Sequence, residues 1–323
     1  MEEPNPVVRW SIYLFAGGDA GIASLAVIAF VAFLALFPRI IKPSRTTVAT
    51  ILVVLSVVFV LCSSWSSPLW LRCVSLVWIA YVLLRLQRCR RTNTSTATAP
   101  AESSRAGMWR DRLCLLTWIT LILWNELPFS FWPTLPDSVS PILVIGDSVT
   151  AGLNDDDDTW PRKLARQFEI EVVDVSQPGA TLKSALRQNK NLGERKGIVL
   201  LEIGGNDMLE GLPVRQFETD LATLLKYVVR PDRSVIMLEL PLPPFYQEYG
   251  VAQRRQAALH RVQMIPKRNF ARVLTGNGST VDGIHLSDVG QTRMLGMIGQ
   301  IFSKRLKSGT GSYQNLSSYP HLH

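Results

Sequence analysis

The long uncharged runs of this 323-residue chain lie toward its N-terminal end, and that asymmetry divides it into two kinds of material. Residues 20–37 (AGIASLAVIAFVAFLALF) run for 18 positions without a charge, and residues 47–65 (TVATILVVLSVVFVLCSSW) for 19. A bilayer core takes about 20 mostly apolar residues in a helix. A third run, 69–86, carries Arg72 and Arg85 near its ends, where long side chains reach the interface. A fourth, 113–132, loses its apolar character after Trp124, and its Trp and Phe residues suit a membrane interface. The expectation is an α-helical transmembrane region over residues 1–137 with helices at 12–37, 47–65, 69–86 and 113–132. The first run is too long for a signal peptide and lacks a basic flank with a small-residue cleavage site.

Loop charge orients this region. Arg39, Lys42 and Arg45 follow the first run without an acid, and Arg85, Arg88, Arg90, Arg91, Arg105, Arg110 and Arg112 follow the third against Glu102 and Asp111. The positive-inside rule puts both loops in the cytoplasm. With four spans, everything after residue 137 faces outward, so the chain is expected to be a multi-pass protein of the cytoplasmic membrane with an extracytoplasmic domain. Residues 92–104 (TNTSTATAPAESS) read as a flexible loop, and 308–323 as a disordered tail.

Residues 138–323 are of a different character. They hold 22 basic and 19 acidic residues, against 12 and 7 before them, so no basic stripe marks a nucleic-acid partner. All four cysteines, Cys62, Cys73, Cys89 and Cys114, lie in the apolar part, which leaves the rest without a thiolate metal site or a disulfide framework. Five short apolar runs read as buried strands: 141–146, 170–175, 197–203, 234–240 and 271–276. Segments of helical spacing separate them, at 159–168, 181–189, 213–229 and 249–265, with a last one at 286–306 whose Val289, Leu295, Ile298 and Phe302 share a face. Such alternation predicts a three-layer α/β/α domain over 138–307 with a five-stranded parallel sheet. Ligands of such sheets bind at the carboxyl ends of the strands.

The chemically interesting motifs fall at those ends. Ser148 in "GDSV" follows the first strand, Gly179 in "SQPGAT" the second, "GGND" (204–207) the third, and "DGIH" (282–285) comes after the fifth. A serine hydroxyl needs a base to take its proton. His285 is a candidate base, and Asp282, three residues earlier, is placed to hold the ring and stabilise the imidazolium. His260 sits in a charged helical pattern and reads as a packing or surface residue. The developing oxyanion needs donors, and Ser148 N–H, Gly179 N–H and the Asn206 amide are candidates. Asp207 reads as a buried hydrogen-bonding residue. The acidic run 155–158 lacks the alternate spacing of a calcium loop, and no metal or cofactor is expected.

Taken together, "GDSV", Gly179, "GGND" and "DGIH" resemble the four blocks of the SGNH hydrolases, the GDSL-type esterases and lipases, over residues 141–305. The resemblance implies a flavodoxin-like α/β/α fold. It also implies a Ser148–His285–Asp282 triad, and an oxyanion hole from Ser148, Gly179 and Asn206. Val149 stands where many members carry Leu.

The expected activity is hydrolysis of acyl esters through an acyl-enzyme by a membrane-anchored esterase or lipase. Its expected partners are the bilayer and an ester substrate, either lipid or acylated glycan. Alternatives are an O-acetylesterase or O-acyltransferase acting on polysaccharide, or a silent binding protein that keeps the fold. Met208, Leu209, Leu242, Phe245 and Tyr246 either line an acyl pocket or pack as part of a proline-rich loop.

Overall fold

The computed structural model describes residue 66, residues 68–92, 113–114, 116–118, 120–121, 124–135, and 141–309 except 244. Five strands, β1 (Ile142–Gly146), β2 (Val172–Asp174), β3 (Gly197–Glu202), β4 (Arg233–Leu238) and β5 (Gln263–Ile265), pair in the order β2-β1-β3-β4-β5. Every pairing is parallel.

Side chains alternate across the sheet with period two. Leu143, Ile145, Val199, Leu201 and Met237 face one layer of helices, and Ile142, Val144, Ile198, Leu200 and Ile236 face the other. The first layer comprises α4 (Leu182–Leu192), α6 (Val214–Val228) and α7 (Gln247–Leu259), with Leu182, Phe217, Leu224 and Ala252 inward. The second comprises α3 (Trp160–Phe168), α8 (Lys267–Thr275) and α9 (Asp288–Gly309), with Trp160, Phe270, Ile298 and Phe302 inward. Two short helices, α2 (Ser148–Ala151) and α5 (Gly205–Leu209), follow β1 and β3 at the carboxyl edge.

The three-layer architecture agrees with the sequence pattern, but the fifth strand does not. Residues 271–276 lie in and just beyond α8, and β5 is Gln263–Ile265, inside a segment expected to be helical. In the 271–276 region, Phe270 and Val273 are three apart and bury one helical face, while Pro266 opens the helix at a position that needs no amide proton. Val289 is also displaced from its expected face. It is half-exposed in the first turn of α9, and Met294, Leu295, Met297, Ile298, Ile301 and Phe302 form the buried stripe.

Among the described residues no helix is long and apolar enough to cross a membrane. The segments expected at 12–37 and 47–65 lie outside the described residues, as do 93–112 and 310–323. The third expected span falls within helix α1 (Leu69–Thr92). The fourth is helical at its described positions up to Glu126, then tightens into a 3-10 turn at Leu127–Phe129. Both meet their surroundings through polar side chains. Trp118 Nε1 donates to Ser75 Oγ at 3.0 Å, joining the two segments. Arg72 pairs with Glu248 at the start of α7 at 3.2 Å.

These segments bind the domain at the ends of β4 and β5. Arg254 of α7 forks onto Glu126 at 2.8 and 3.1 Å and donates Nε to Glu239 at 2.6 Å. Its guanidinium lies 4.4 Å from the centre of the Phe129 ring. Lys267 Nζ donates to Ser66 Oγ at 2.9 Å, and Arg268 donates to the Ser130 carbonyl at 2.6 Å.

Candidate active site

The turn from β1 into α2 carries Ser148. Asp147 caps α2 by accepting the Val149 N–H at 2.9 Å. Gly146 admits no side chain, because a Cβ there would stand 2.7 Å from Thr150 Cβ. The buried Gln188 of α4 clamps this glycine, accepting its N–H at 3.2 Å and donating to its carbonyl at 3.0 Å. Gln291 of α9 joins α2 to α3, donating to the Val149 carbonyl at 3.4 Å and accepting the Trp160 N–H at 2.8 Å. The nucleophile candidate therefore sits on an element held from both layers, as a preorganised site requires.

Beneath Ser148 lies a pair of buried acids. Glu202, the last residue of β3, accepts from Thr150 Oγ1 at 3.0 Å, and Trp160 Nε1 donates to the same hydroxyl at 3.3 Å. Burial and then the Asp147 charge push the Glu202 carboxyl well above its usual range. Burial likewise raises Asp147, against the Val149 N–H and the His285 charge. Two buried acids without a cation between them disfavour each other's ionised form, so both carboxyls are held above their usual range.

Asp282 and His285 lie on a narrow loop closed by the antiparallel bridge Thr280–Leu286. Asp282 Oδ1 accepts the N–H groups of Ile284 and His285 at 2.9 and 2.8 Å, and Oδ2 meets His285 Nδ1 at 2.5 Å. Burial works to raise the Asp282 carboxyl, but its hydrogen bonds with His285 and Ile284 outweigh it and hold the group below its usual value. With Nδ1 on the carboxylate, Nε2 is the nitrogen left for a reacting group. Helix α9 packs tightly under the loop, since a Cβ at Gly290 would fall 1.9 Å from the Ser279 carbonyl oxygen. Among the described residues Ser148 and His285 make no hydrogen bond to one another.

Gly179 is exposed at φ +68°, a conformation that favours glycine, and a Cβ there would meet nothing within 4 Å. Asn206 Nδ2 donates to the Ala180 carbonyl at 2.8 Å, which ties the Gly179 loop to the β3 end and leaves the second amide proton for another acceptor. Asp207 accepts the Leu182 N–H at 2.9 Å and so caps α4.

Two of the proposed pocket residues are elsewhere. Met208 and Leu242 are buried in the core that contains Phe217 and Tyr249, so neither is open to a ligand. Leu209, Phe245 and Tyr246 are exposed, and Tyr246 stacks on Tyr249 with ring centres 5.8 Å apart. In the acidic loop, Asp157 accepts the N–H groups of Leu153 and Asn154, while Asp158 binds Lys163 and Arg166. Among the described residues no group of acids, histidines or cysteines is arranged to hold a metal.

Sequence reading missed Gln188, Glu202 and Gln291. Glu202 alone left a signal, as a charged residue inside the otherwise apolar run "IVLLEI".

A serine turn after β1, a histidine–carboxylate pair on a loop before α9 and an amide donor after β3 are the parts that an esterase-type site would use. Comparison with known proteins points the same way: residues 144–293 match the GDSL-like Lipase/Acylhydrolase family, and the relatives found support a serine ester hydrolase. It is similar to Esterase TesA of Pseudomonas aeruginosa, 28% identical over 172 residues, covering 48% of this chain and 83% of that protein. It is also similar to the Thioesterase 1/protease 1/lysophospholipase L1 of Escherichia coli K12, 30% identical over 129 residues, covering 38% of this chain and 62% of that protein. A crystal structure of TesA aligns with 27% identity and a TM-score of 0.46, covering 51% of this chain and 98% of the other.

Proposed function

We propose that the chain is a membrane-anchored esterase or lipase that cleaves acyl esters through Ser148, His285 and Asp282. Ser148 Oγ attacks the ester carbonyl as His285 Nε2 takes its proton. The imidazolium returns that proton to the departing alcohol, and water then releases the acyl group by the same relay. Asp282 holds the ring and the charge it acquires. Ser148 N–H, Gly179 N–H and Asn206 Nδ2 serve the oxyanion, each worth about 3 kcal/mol of barrier. The observation that carries this reading is the 2.5 Å Asp282–His285 contact on a loop whose own N–H groups fix the carboxylate.

Membrane attachment rests on the uncharged runs 20–37 and 47–65. The basic loop between them puts residue 66, and with it the domain, on the outer side of the cytoplasmic membrane.

Fluorophosphonate labelling of the full chain tests the nucleophile. Ser148→Ala is expected to abolish labelling without changing the unfolding midpoint, and equal labelling of the variant would sink the assignment. Asp282→Asn is expected to lower kcat by roughly 10³–10⁴, with the protein still folded. A p-nitrophenyl ester series from acetyl to palmitoyl then separates the substrate classes. Preference for long chains fits a lipid substrate, and preference for acetyl moves the reading to a polysaccharide O-acetylesterase or transferase.

A further inference from the structure

The domain is bound to the preceding segment at one particular edge. Ser66 directly follows the uncharged run 47–65, and Lys267 holds it where β5 passes into α8, next to Glu239 at the end of β4. Those are carboxyl ends of strands, the same edge that carries Ser148 and Asn206. Neighbouring strands lie about 4.8 Å apart, so β1 and β5, three positions apart in the sheet, are separated by about 15 Å. Ser66, the residue that follows this run in sequence, is thus held at the catalytic edge.

That edge also exposes apolar side chains that the core does not use. Leu153 just beyond α2, Leu209 at the end of α5, Phe245 between β4 and α7, and Ile284 in the Asp282–His285 loop are all exposed. Phe245 is the most telling. It is 74% exposed and its backbone stands at φ +71°. A bulky residue gains nothing there from packing, and the conformation costs of order 1 kcal/mol or more. Trp70 of α1, Trp124 and Phe131, on the segments bound at this edge, are exposed as well.

We propose that this apolar rim rests in the outer leaflet of the bilayer, so that the site takes its substrate, an acyl ester of a membrane lipid, laterally from that leaflet. The proposal rests on the esterase reading and on membrane attachment through 47–65, and it names what neither specifies: which face meets the bilayer, and the substrate class.

The test uses the full chain in phospholipid vesicles, with Cys62, Cys73, Cys89 and Cys114 replaced by Ser. Single cysteines at Phe245→Cys and Leu209→Cys carry an environment-sensitive fluorophore. Leu259→Cys, exposed at the far end of α7, carries the same probe as a control. Quenching by spin-labelled phospholipid is expected at 245 and 209 and not at 259. Water-like signals at all three sites, quenching at all three, or failure of the protein to float with vesicles would each overturn the proposal. This readout does not depend on turnover and is repeated with Ser148→Ala, so loss of the esterase reading would leave it intact.

A fluorogenic acyl-ester phospholipid placed either in the protein's own vesicles or in separate ones tests lateral entry. Hydrolysis is expected at least about tenfold faster in the first arrangement, the discrimination that burial of a single large apolar group supplies. Equal rates, or no hydrolysis by protein that fluorophosphonate still labels, would overturn it.

Discussion

Two glutamates end or follow adjacent strands of this sheet, and both are exposed by only a few per cent or less, yet their chemistry is opposite. Glu202 at the end of β3 has an aspartate and a threonine for neighbours, and its carboxyl is driven toward the neutral form. Glu239 after β4 suffers the same burial, which works to raise it. The charges of Arg254 and Lys267 prevail, and it stays below its usual value. The two differ in partners and not in depth: a buried acid is kept ionised by cations and neutralised without them. In the cationic cluster the same accounting falls on Lys267, which burial lowers to about 8 against the pull of Glu239.

The largest test of this contrast is Arg254→Met, which leaves Glu126 without its guanidinium partner and Glu239 with Lys267 alone. Breaking a buried ion pair by removing one partner costs about 3–5 kcal/mol. The urea midpoint of the detergent-solubilised chain should fall accordingly, and a change under about 1 kcal/mol would mean that the cluster is not closed to water.

Glu202→Gln should behave differently. It replaces a carboxyl inclined to keep its proton with a neutral group of the same shape, so the expected loss at neutral pH is about 1 kcal/mol or less. Its main effect is on pH dependence. Because the folded value of Glu202 stands above its unfolded one, its contribution is complete at acid pH and is lost as pH rises through the raised folded value. The variant should therefore lose stability less steeply with rising pH than the parent, and parallel midpoint–pH curves would refute the raised Glu202 carboxyl.

The smallest effect marks the other limit. Lys163 bridges Asp158 and Asp288, whose side chains are exposed to 42% and 78%. Lys163→Met should cost about 0–1 kcal/mol, and 0.5 M salt should erase most of the difference.

The contrast also explains what could be seen in the chain beforehand. Alternating apolar runs and helical periods were enough for the parallel three-layer sheet, because each strand buried on both faces must be apolar throughout. β5 escaped because three residues, Gln263–Ile265, are too few to display a period, while the helical stripe of α8 mimics a short buried run. Asp282 and His285 were readable because a local turn joins them. Gln188, Glu202 and Gln291 were not, since each acts on a backbone or hydroxyl group more than 40 residues away in sequence. Met208 and Leu242 show the same limit from the other side: an apolar residue in a loop after a strand faces either ligand or core, and only packing decides which.

The sequence by itself determined the layered α/β architecture and the likeness to the GDSL-type hydrolases, and it singled out the serine, histidine, aspartate, glycine and asparagine proposed for the chemistry. Those depend on local pattern, on turn residues and on short spacings. Tertiary structure alone decided the position of β5, the clamp of Gln188 on Gly146, the opposite electrostatics of Glu202 and Glu239, and the attachment of Ser66, Arg72 and Glu126 to the catalytic edge. Each of these depends on groups far apart in the chain being brought together out of water, where a charge or a hydrogen-bonding group must find its partner in the protein itself.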